Sequence, residues 1–253
     1  MDPPVNLPLP LLIAVQFLTC LPIRLPGMPA PEEQGRSLLW YPLVGLLIGL
    51  LLVGLHWLLD GSPAPLQAAL LLVVWVALTG ALHLDGLADT ADAWLGGLGD
   101  RERTLTIMKD PRSGPIAVVV LVLLLLLKFA ALWTLLGAQS GLALLLAPLL
   151  GRAAVLGLFL NTPYVRPGGL GQALAEHLPR DAGQKVLLAT ALGVLLLGGW
   201  QGLQALLIGA AVFGLVRRSL LNRLGGTTGD TAGALLELVE CALLVGLAAM
   251  LSR

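Results

Sequence analysis

Long apolar runs separated by short polar links dominate the chain. A membrane-spanning helix needs about 20 predominantly apolar residues. Five runs approach or exceed that length: Leu38–Leu59, Pro65–Leu82, Pro115–Leu136, Gly141–Leu160 and Thr231–Leu251. A further run, Val186–Val216, is interrupted by Gly198-Gly199-Trp200-Gln201-Gly202. It reads as two spans meeting at a tight turn, with one long tilted helix as the alternative. Leu7–Leu21 is apolar but carries Pro8 and Pro10 and is followed by Pro22, so a re-entrant or interfacial segment is expected there. The pattern predicts an all-α fold, a polytopic integral-membrane helical bundle of about six to seven spans. No polar half is set apart, so residues 1–253 read as a single membrane-embedded domain.

Composition sharpens the class. Hydrophobic residues make up 57% of the chain and charged residues 12%, about half the charged fraction of a soluble globular domain. The formal net charge is zero, which removes any global attraction for nucleic acid. Cys20 and Cys241 are far apart among apolar neighbours. They are expected as small buried side chains, not as a disulfide or a metal site. The chain begins Met-Asp-Pro-Pro without the basic stretch of a signal peptide, so no cleavage is expected.

Basic residues set the orientation. Arg24 and Arg36 precede the first span, and Arg101, Arg103, Lys109 and Arg112 lie between the second and third. Arg166, Arg180 and Lys185 follow the fourth, and Arg217, Arg218 and Arg223 precede the last. The links Asp60–Ala64 and Gly137–Ser140 contain no Lys or Arg. With seven spans, every basic loop faces the cytoplasm. Polar chemistry gathered on one face suits a membrane enzyme acting on a charged cytosolic substrate.

The stretch His83-Leu84-Asp85-Gly86-Leu87-Ala88-Asp89-Thr90-Ala91-Asp92 carries the most chemistry. On a helix, Asp85, Asp89 and Asp92 share one face. Like charges at those spacings repel, and oxygen-only ligands suit a hard divalent ion such as Mg²⁺. A solvated acidic face is the plain alternative. Each charge at the bilayer centre costs roughly 2.5–3.5 kcal/mol, so the three acids are expected at or beyond the membrane boundary in a water-accessible cavity. His83 points away from them unless Gly86 bends the helix, and is otherwise an interfacial polar residue.

Three further clusters follow. In Lys109-Asp110-Pro111-Arg112-Ser113-Gly114-Pro115, Pro115 suits the first turn of the next span. The backbone N–H groups at that helix start, with Lys109, Asp110 and Arg112 beside them, form a candidate phosphate clamp. The alternative is ordinary positive-inside anchoring. Gly225-Gly226-Thr227-Thr228-Gly229-Asp230-Thr231 is a flexible loop suited to phosphate, although it has no Walker sequence. Gly226, Thr228, Gly229 and Asp230 are its candidate contacts, and Asp230 alone is a possible helix cap. Gly233, Glu237 and Glu240 follow at helical spacing and are expected to complete a polar cavity with the Asp trio. Arg152 and Lys128 lie inside spans, each a partner for a carboxylate or a phosphate; Lys128 has snorkelling as its alternative. The loop Asn161–Gly171 combines Tyr164, Arg166 and three glycines, able to hold a phosphate or a flat ring or to serve as a plain turn.

These motifs, together with Met108-Lys109-Asp110 and Gly151-Arg152, resemble the cobalamin synthase family, the adenosylcobinamide-GDP ribazoletransferases, in order from about Phe17 to the C-terminus. The resemblance implies a Mg²⁺-dependent enzyme of the bacterial inner membrane. Its members transfer the adenosylcobinamide phosphate group of adenosylcobinamide-GDP to the 5′-hydroxyl of α-ribazole, or react with α-ribazole 5′-phosphate, and release GMP. On that reading Asp85, Asp89 and Asp92 hold the metal, and one of them or His83 takes the proton. Lys109, Asp110, Arg152, Gly226, Thr228, Gly229, Asp230 and Glu237 bind substrate or phosphate. A homodimer is the default assembly. The rivals are another Mg²⁺-dependent phosphotransferase acting on a lipid alcohol and, more distantly, a cation-coupled transporter.

Overall fold

The computed structural model describes residues 7–138, 141–169 and 171–251; Ser140, in one predicted link, lies outside them. The helices are α1 (Leu9–Leu18), α2 (Pro31–Ser37), α3 (Tyr41–Leu58), α4 (Ala64–Thr79), α5 (Leu82–Gly96), α6 (Arg101–Ile107), α7 (Pro115–Gly137), α8 (Leu142–Asn161), α9 (Gly171–Glu176), α10 (Arg180–Leu224) and α11 (Gly229–Met250). Prolines stand in the first turn of α1, α2, α3, α4 and α7, where the missing N–H costs nothing. Helix α1 has only ten residues, too short to cross a bilayer, as its prolines imply.

Five helices are long and apolar enough to cross a membrane, or six if the bent pair α4–α5 counts as one span. Helix α10 contains a reversal. At Gly199 the backbone takes φ 51° and ψ −126°, a conformation that favours glycine. A Cβ on Gly202 would sit 2.2 Å from the carbonyl oxygen of Val194, yet residues eight apart on a straight helix are separated by about 12 Å. The chain therefore turns back, and α10 is two arms of roughly 28 and 37 Å. The two-span reading of this segment holds, and with it the expected six to seven spans.

Helix α8 is almost wholly buried and α11 mostly so. Gly45 and Gly49 open one face of α3 to α8: a Cβ on Gly45 would lie 2.3 Å from the Pro148 carbonyl, and one on Gly49 would lie 2.8 Å from Leu145 Cα. Small residues four apart let two spans approach to backbone contact, which is how helices gain packing energy in lipid. The outer faces of α7 and α10 expose Val119, Leu123, Leu126, Leu196, Leu197 and Trp200, as a lipid-facing surface does.

Two features depart from the sequence reading. The second span stops at Thr79, because Gly80 and Ala81 both adopt left-handed backbone angles, φ 60° and 56°. The chain then bends by 87° into α5, so the acidic helix is its own element. Cys20 is exposed, not buried, with its sulfur against Gly80, whereas Cys241 is buried as expected.

Candidate active site

Helix α5 is regular through Gly86, so no bend turns His83 toward the acids. The glycine serves packing instead. A Cβ on Gly86 would lie 2.8 Å from the Asp230 carbonyl, and one on Gly233 would lie 3.3 Å from His83 Cα. These two glycines let α5 and α11 touch along their backbones. That contact brings Asp85 and Asp230 to the wall of one cavity of about 520 Å³, which His83 also lines.

The three acids of α5 have different fates. Asp85 is exposed on the cavity wall. Asp89 is half-buried and close enough to Asp85, Asp92, Asp230 and Arg166 to interact with each electrostatically. Asp92 is committed elsewhere: its carboxylate accepts from the backbone N–H of Gly114 at 2.5 Å and of Ala117 at 2.9 Å. It therefore caps the start of α7, with the negative charge a helix N-terminus attracts. The expected phosphate clamp at Ser113–Pro115 is corrected accordingly. The anion at that terminus is Asp92, and a Cβ on Gly114 would collide with it at 2.7 Å.

From the loop before α7, only Lys109 reaches the cavity wall. Asp110 instead pairs with Arg112 at 2.9 Å on the surface. Arg112 holds the Asp110 carboxyl below its usual range through hydrogen bonds and charge, so the two neutralise each other away from the cavity.

The glycine-rich loop is mostly occupied with its own structure. Gly225, at φ 72°, closes α10. Gly226 fits against the Pro163 carbonyl, 2.3 Å from where its Cβ would be. Thr227 N–H donates to Pro163 O at 2.8 Å and Val165 N–H to Thr227 O at 2.9 Å, a short parallel bridge between loops. Thr228 is buried and caps α11 in a reciprocal pair with Thr231. Of this loop, only Gly229 and Asp230 line the cavity. Gly226 and Thr228 shape the loop and do not line the cavity.

Arg152 and Glu237 are also corrected. Both are buried and neither lines the cavity. Lys128 donates to Glu237 at 2.6 Å and to Glu240 at 2.7 Å, and Arg152 pairs with Glu240. Lys128 also lies 4.9 Å over the ring of Trp75. Two cations and two carboxylates thus neutralise one another inside the bundle, joining α4, α7, α8 and α11. The two glutamates do not complete a cavity with the Asp trio, because the nearest cations claim them.

The remaining wall comes from the loop after α8 and from aromatic residues. Arg166 pairs with Asp230. Tyr164 stacks on Phe159 with ring centres 6.0 Å apart, and Phe17 on Tyr41 at 6.4 Å. All six line the cavity, with Val155 and Leu174.

Comparison with known proteins fixes the family. Residues 10–248 match the sequence profile of a family described as cobalamin-5-phosphate synthase. The chain belongs to that family. It is 71% identical over 240 residues to an adenosylcobinamide-GDP ribazoletransferase of Pseudomonas putida, covering 95% of this chain and 98% of that one. It is 69% identical over 242 residues to the protein of that name from Pseudomonas entomophila, covering 96% and 99%. Against the protein of that name from Pseudomonas savastanoi pv. phaseolicola it is 67% identical over 240 residues, covering 95% and 99%. No solved structure matches the chain. Within this cobalamin-5-phosphate synthase fold, the cavity joins the Asp-rich helix to the Gly-Asp loop. The sequence also pointed to Arg166 and Tyr164, through an aromatic and a base in a loop with three glycines. It carried no signal for Phe17, Tyr41 or Phe159, which are apolar residues among many.

Proposed function

We propose that this chain is a Mg²⁺-dependent transferase at the cytoplasmic face of the bacterial inner membrane. It moves the adenosylcobinamide phosphate group of adenosylcobinamide-GDP onto α-ribazole or α-ribazole 5′-phosphate and releases GMP. The observation that carries this reading is a single cavity where carboxylates (Asp85, Asp230), cations (Lys109, Arg166) and an aromatic wall meet, in a chain whose relatives bear that name. The orientation is supported by Arg101, Arg217 and Arg223, which bond to backbone carbonyls at the cavity's end of the bundle, where the positive-inside rule expects them.

Asp85, Asp89 and Asp230 interact electrostatically, and one or two of them would hold Mg²⁺. Among the described residues no three His, Cys, Asp or Glu side chains form a closed metal-binding group. Mg²⁺ takes one or two carboxylates and fills its shell with water and substrate phosphate. When bound, the ion would neutralise charge developing on the transferred phosphoryl group. Lys109 and Arg166 add positive charge at the same wall for the phosphate oxygens, beside the N-terminus of α11 at Gly229. Whichever of the wall carboxylates Asp85 and Asp230 does not hold the ion would accept the proton of the attacking hydroxyl. That oxygen bonds to the phosphorus next to cobinamide as the bond from phosphorus to GMP breaks. In α-ribazole 5′-phosphate the 5′ oxygen is already esterified. The nucleophile common to both acceptors is therefore a ring hydroxyl of the ribose, in place of the 5′-hydroxyl.

The test is GMP release by the purified, reconstituted protein from adenosylcobinamide-GDP with α-ribazole, with and without Mg²⁺. Release that requires acceptor and metal is expected; a folded sample that produces none overturns the proposal. Gly86→Ala should act on the same assay through the backbone. Its Cβ would push α5 from the Asp230 backbone, and a misplacement of about 1 Å can cost around 10²-fold in rate. The expected result is that loss of turnover together with a lowered thermal midpoint, since overpacking against backbone costs about 1–3 kcal/mol.

A further inference from the structure

The two cations of the cavity wall are in different states. Lys109 is exposed and makes no ion pair among the described residues. Arg166 is already engaged, because its guanidinium donates to the carboxylate of Asp230. That pair is not sealed in the interior: the side chains are 27% and 20% exposed, and both residues line the cavity. The backbones beneath them are tied. Val165 N–H donates to Thr227 O at 2.9 Å and Thr227 N–H to Pro163 O at 2.8 Å. The loops carrying Arg166 and Asp230 therefore keep their spacing while the two side chains can turn within the cavity. Asp230 is the second residue of α11, in the first helical turn, where an anion is favoured. Its carboxylate thus occupies the partners a phosphate would seek, a guanidinium beside a helix N-terminus.

We propose that Asp230 holds the place of a donor phosphate on Arg166 in the empty site, and that Arg166 passes to that phosphate when Asp230 takes up the divalent cation. The inference rests on the transfer reaction proposed above and deepens it: Asp230 becomes a cation ligand, and Arg166 the residue that couples cation to donor. Charge balance requires both halves. A phosphate that took Arg166 alone would leave Asp230 bare, facing the phosphate and the carboxylates of Asp85 and Asp89, with which it interacts electrostatically. A cation that took Asp230 alone would stand beside an unpaired guanidinium. When cation and phosphate arrive together, every charge keeps an opposite partner, and the one ion pair given up is replaced by two. Side-chain rotation is the only movement required, and it is fast on the scale of turnover. Lys109, with no partner to leave, is the cation free to meet the phosphate first.

The experiment is a double-mutant cycle on equilibrium binding, with acceptor omitted so that nothing turns over. Binding of adenosylcobinamide-GDP to the reconstituted full chain is measured by equilibrium dialysis in EDTA. Mn²⁺ binding without donor is read from the electron paramagnetic resonance of the free ion. Asp230→Asn should tighten metal-free donor binding at least about fivefold, the lower end of ordinary coupling between ligands, and should weaken Mn²⁺. Arg166→Gln should tighten Mn²⁺ instead, since Asp230 no longer has a competing partner. On metal-free donor, Arg166→Gln should cost less than about threefold while Asp230 is present, because a guanidinium–carboxylate pair is exchanged for a guanidinium–phosphate pair of like strength. In the Asp230→Asn background the same change should cost about tenfold or more, the worth of a hydrogen bond to a charged group. A loop that is merely disturbed would weaken both ligands and give equal losses in the two backgrounds. Thermal midpoints establish folding, and Arg166→Met, which keeps the aliphatic stem, runs the same cycle if Arg166→Gln does not fold. Equal losses in the two backgrounds, or a Mn²⁺ affinity indifferent to Asp230, overturn the exchange alone. Wild-type protein that binds no adenosylcobinamide-GDP even with Mg²⁺ overturns the underlying reaction as well.

Discussion

Replacing Glu240 with leucine is expected to be the most damaging single change in the bundle. Glu240 is fully buried and receives both Lys128 and Arg152. Its removal leaves Arg152 with no carboxylate and Lys128 with Glu237 alone. Truncating one partner of a buried ion network costs about 3–5 kcal/mol, because the charge left behind has lost both water and counter-ion. The thermal midpoint in detergent should therefore fall steeply, and turnover should fall with the folded fraction. A milder loss is expected for Glu240→Gln, which keeps an acceptor oxygen. A midpoint for Glu240→Leu within a degree or two of wild type would mean that water reaches the cluster and the burial argument fails.

The second large effect separates acids that the sequence presents as equivalent. Asp85→Asn and Asp89→Asn should each lower turnover by at least about 10²-fold, the scale measured when one preorganised electrostatic contact to a developing charge is removed. Both proteins should melt as wild type does, since neither carboxylate makes an ion pair within the described residues. Asp92→Ala should show the opposite balance. It uncaps α7 by deleting acceptors for Gly114 and Ala117, and a lost cap costs about 1–2 kcal/mol. Parallel assays and melting curves on the three variants check the division. Equal melting losses across all three would sink it.

Much of this was legible in the chain. The spans follow from apolar length, and the reversal in α10 from Gly198-Gly199-Trp200-Gln201-Gly202, where glycine permits the angles a turn requires. The acidic helix was legible because helical spacing alone puts Asp85, Asp89 and Asp92 on one face. Spacing could not say which of them has a competing partner. The donors that claim Asp92 lie 22 and 25 residues away. The break before α5 was hidden for a related reason, because Ala81 carries no signal for its left-handed angle. Arg152, Lys128, Glu237 and Glu240 were readable as charges needing partners, but their pairing depends on how α7, α8 and α11 meet. The aromatic wall was the least visible part. Phe17, Tyr41 and Phe159 become a surface only when three separate helices converge.

The buried ion cluster also bears on how the protein is made. Lys128 precedes its acceptors by 109 and 112 residues, and Arg152 precedes Glu240 by 88. At synthesis rates of about 5–20 residues per second, both cations wait in or beside the bilayer for roughly 5–20 s before their counter-ions leave the ribosome. The first helices thus cannot settle into their final arrangement one by one. A nascent chain stopped short of Glu237 is a loose set of spans with two unmatched charges, and the last helix to emerge is the one that locks the rest.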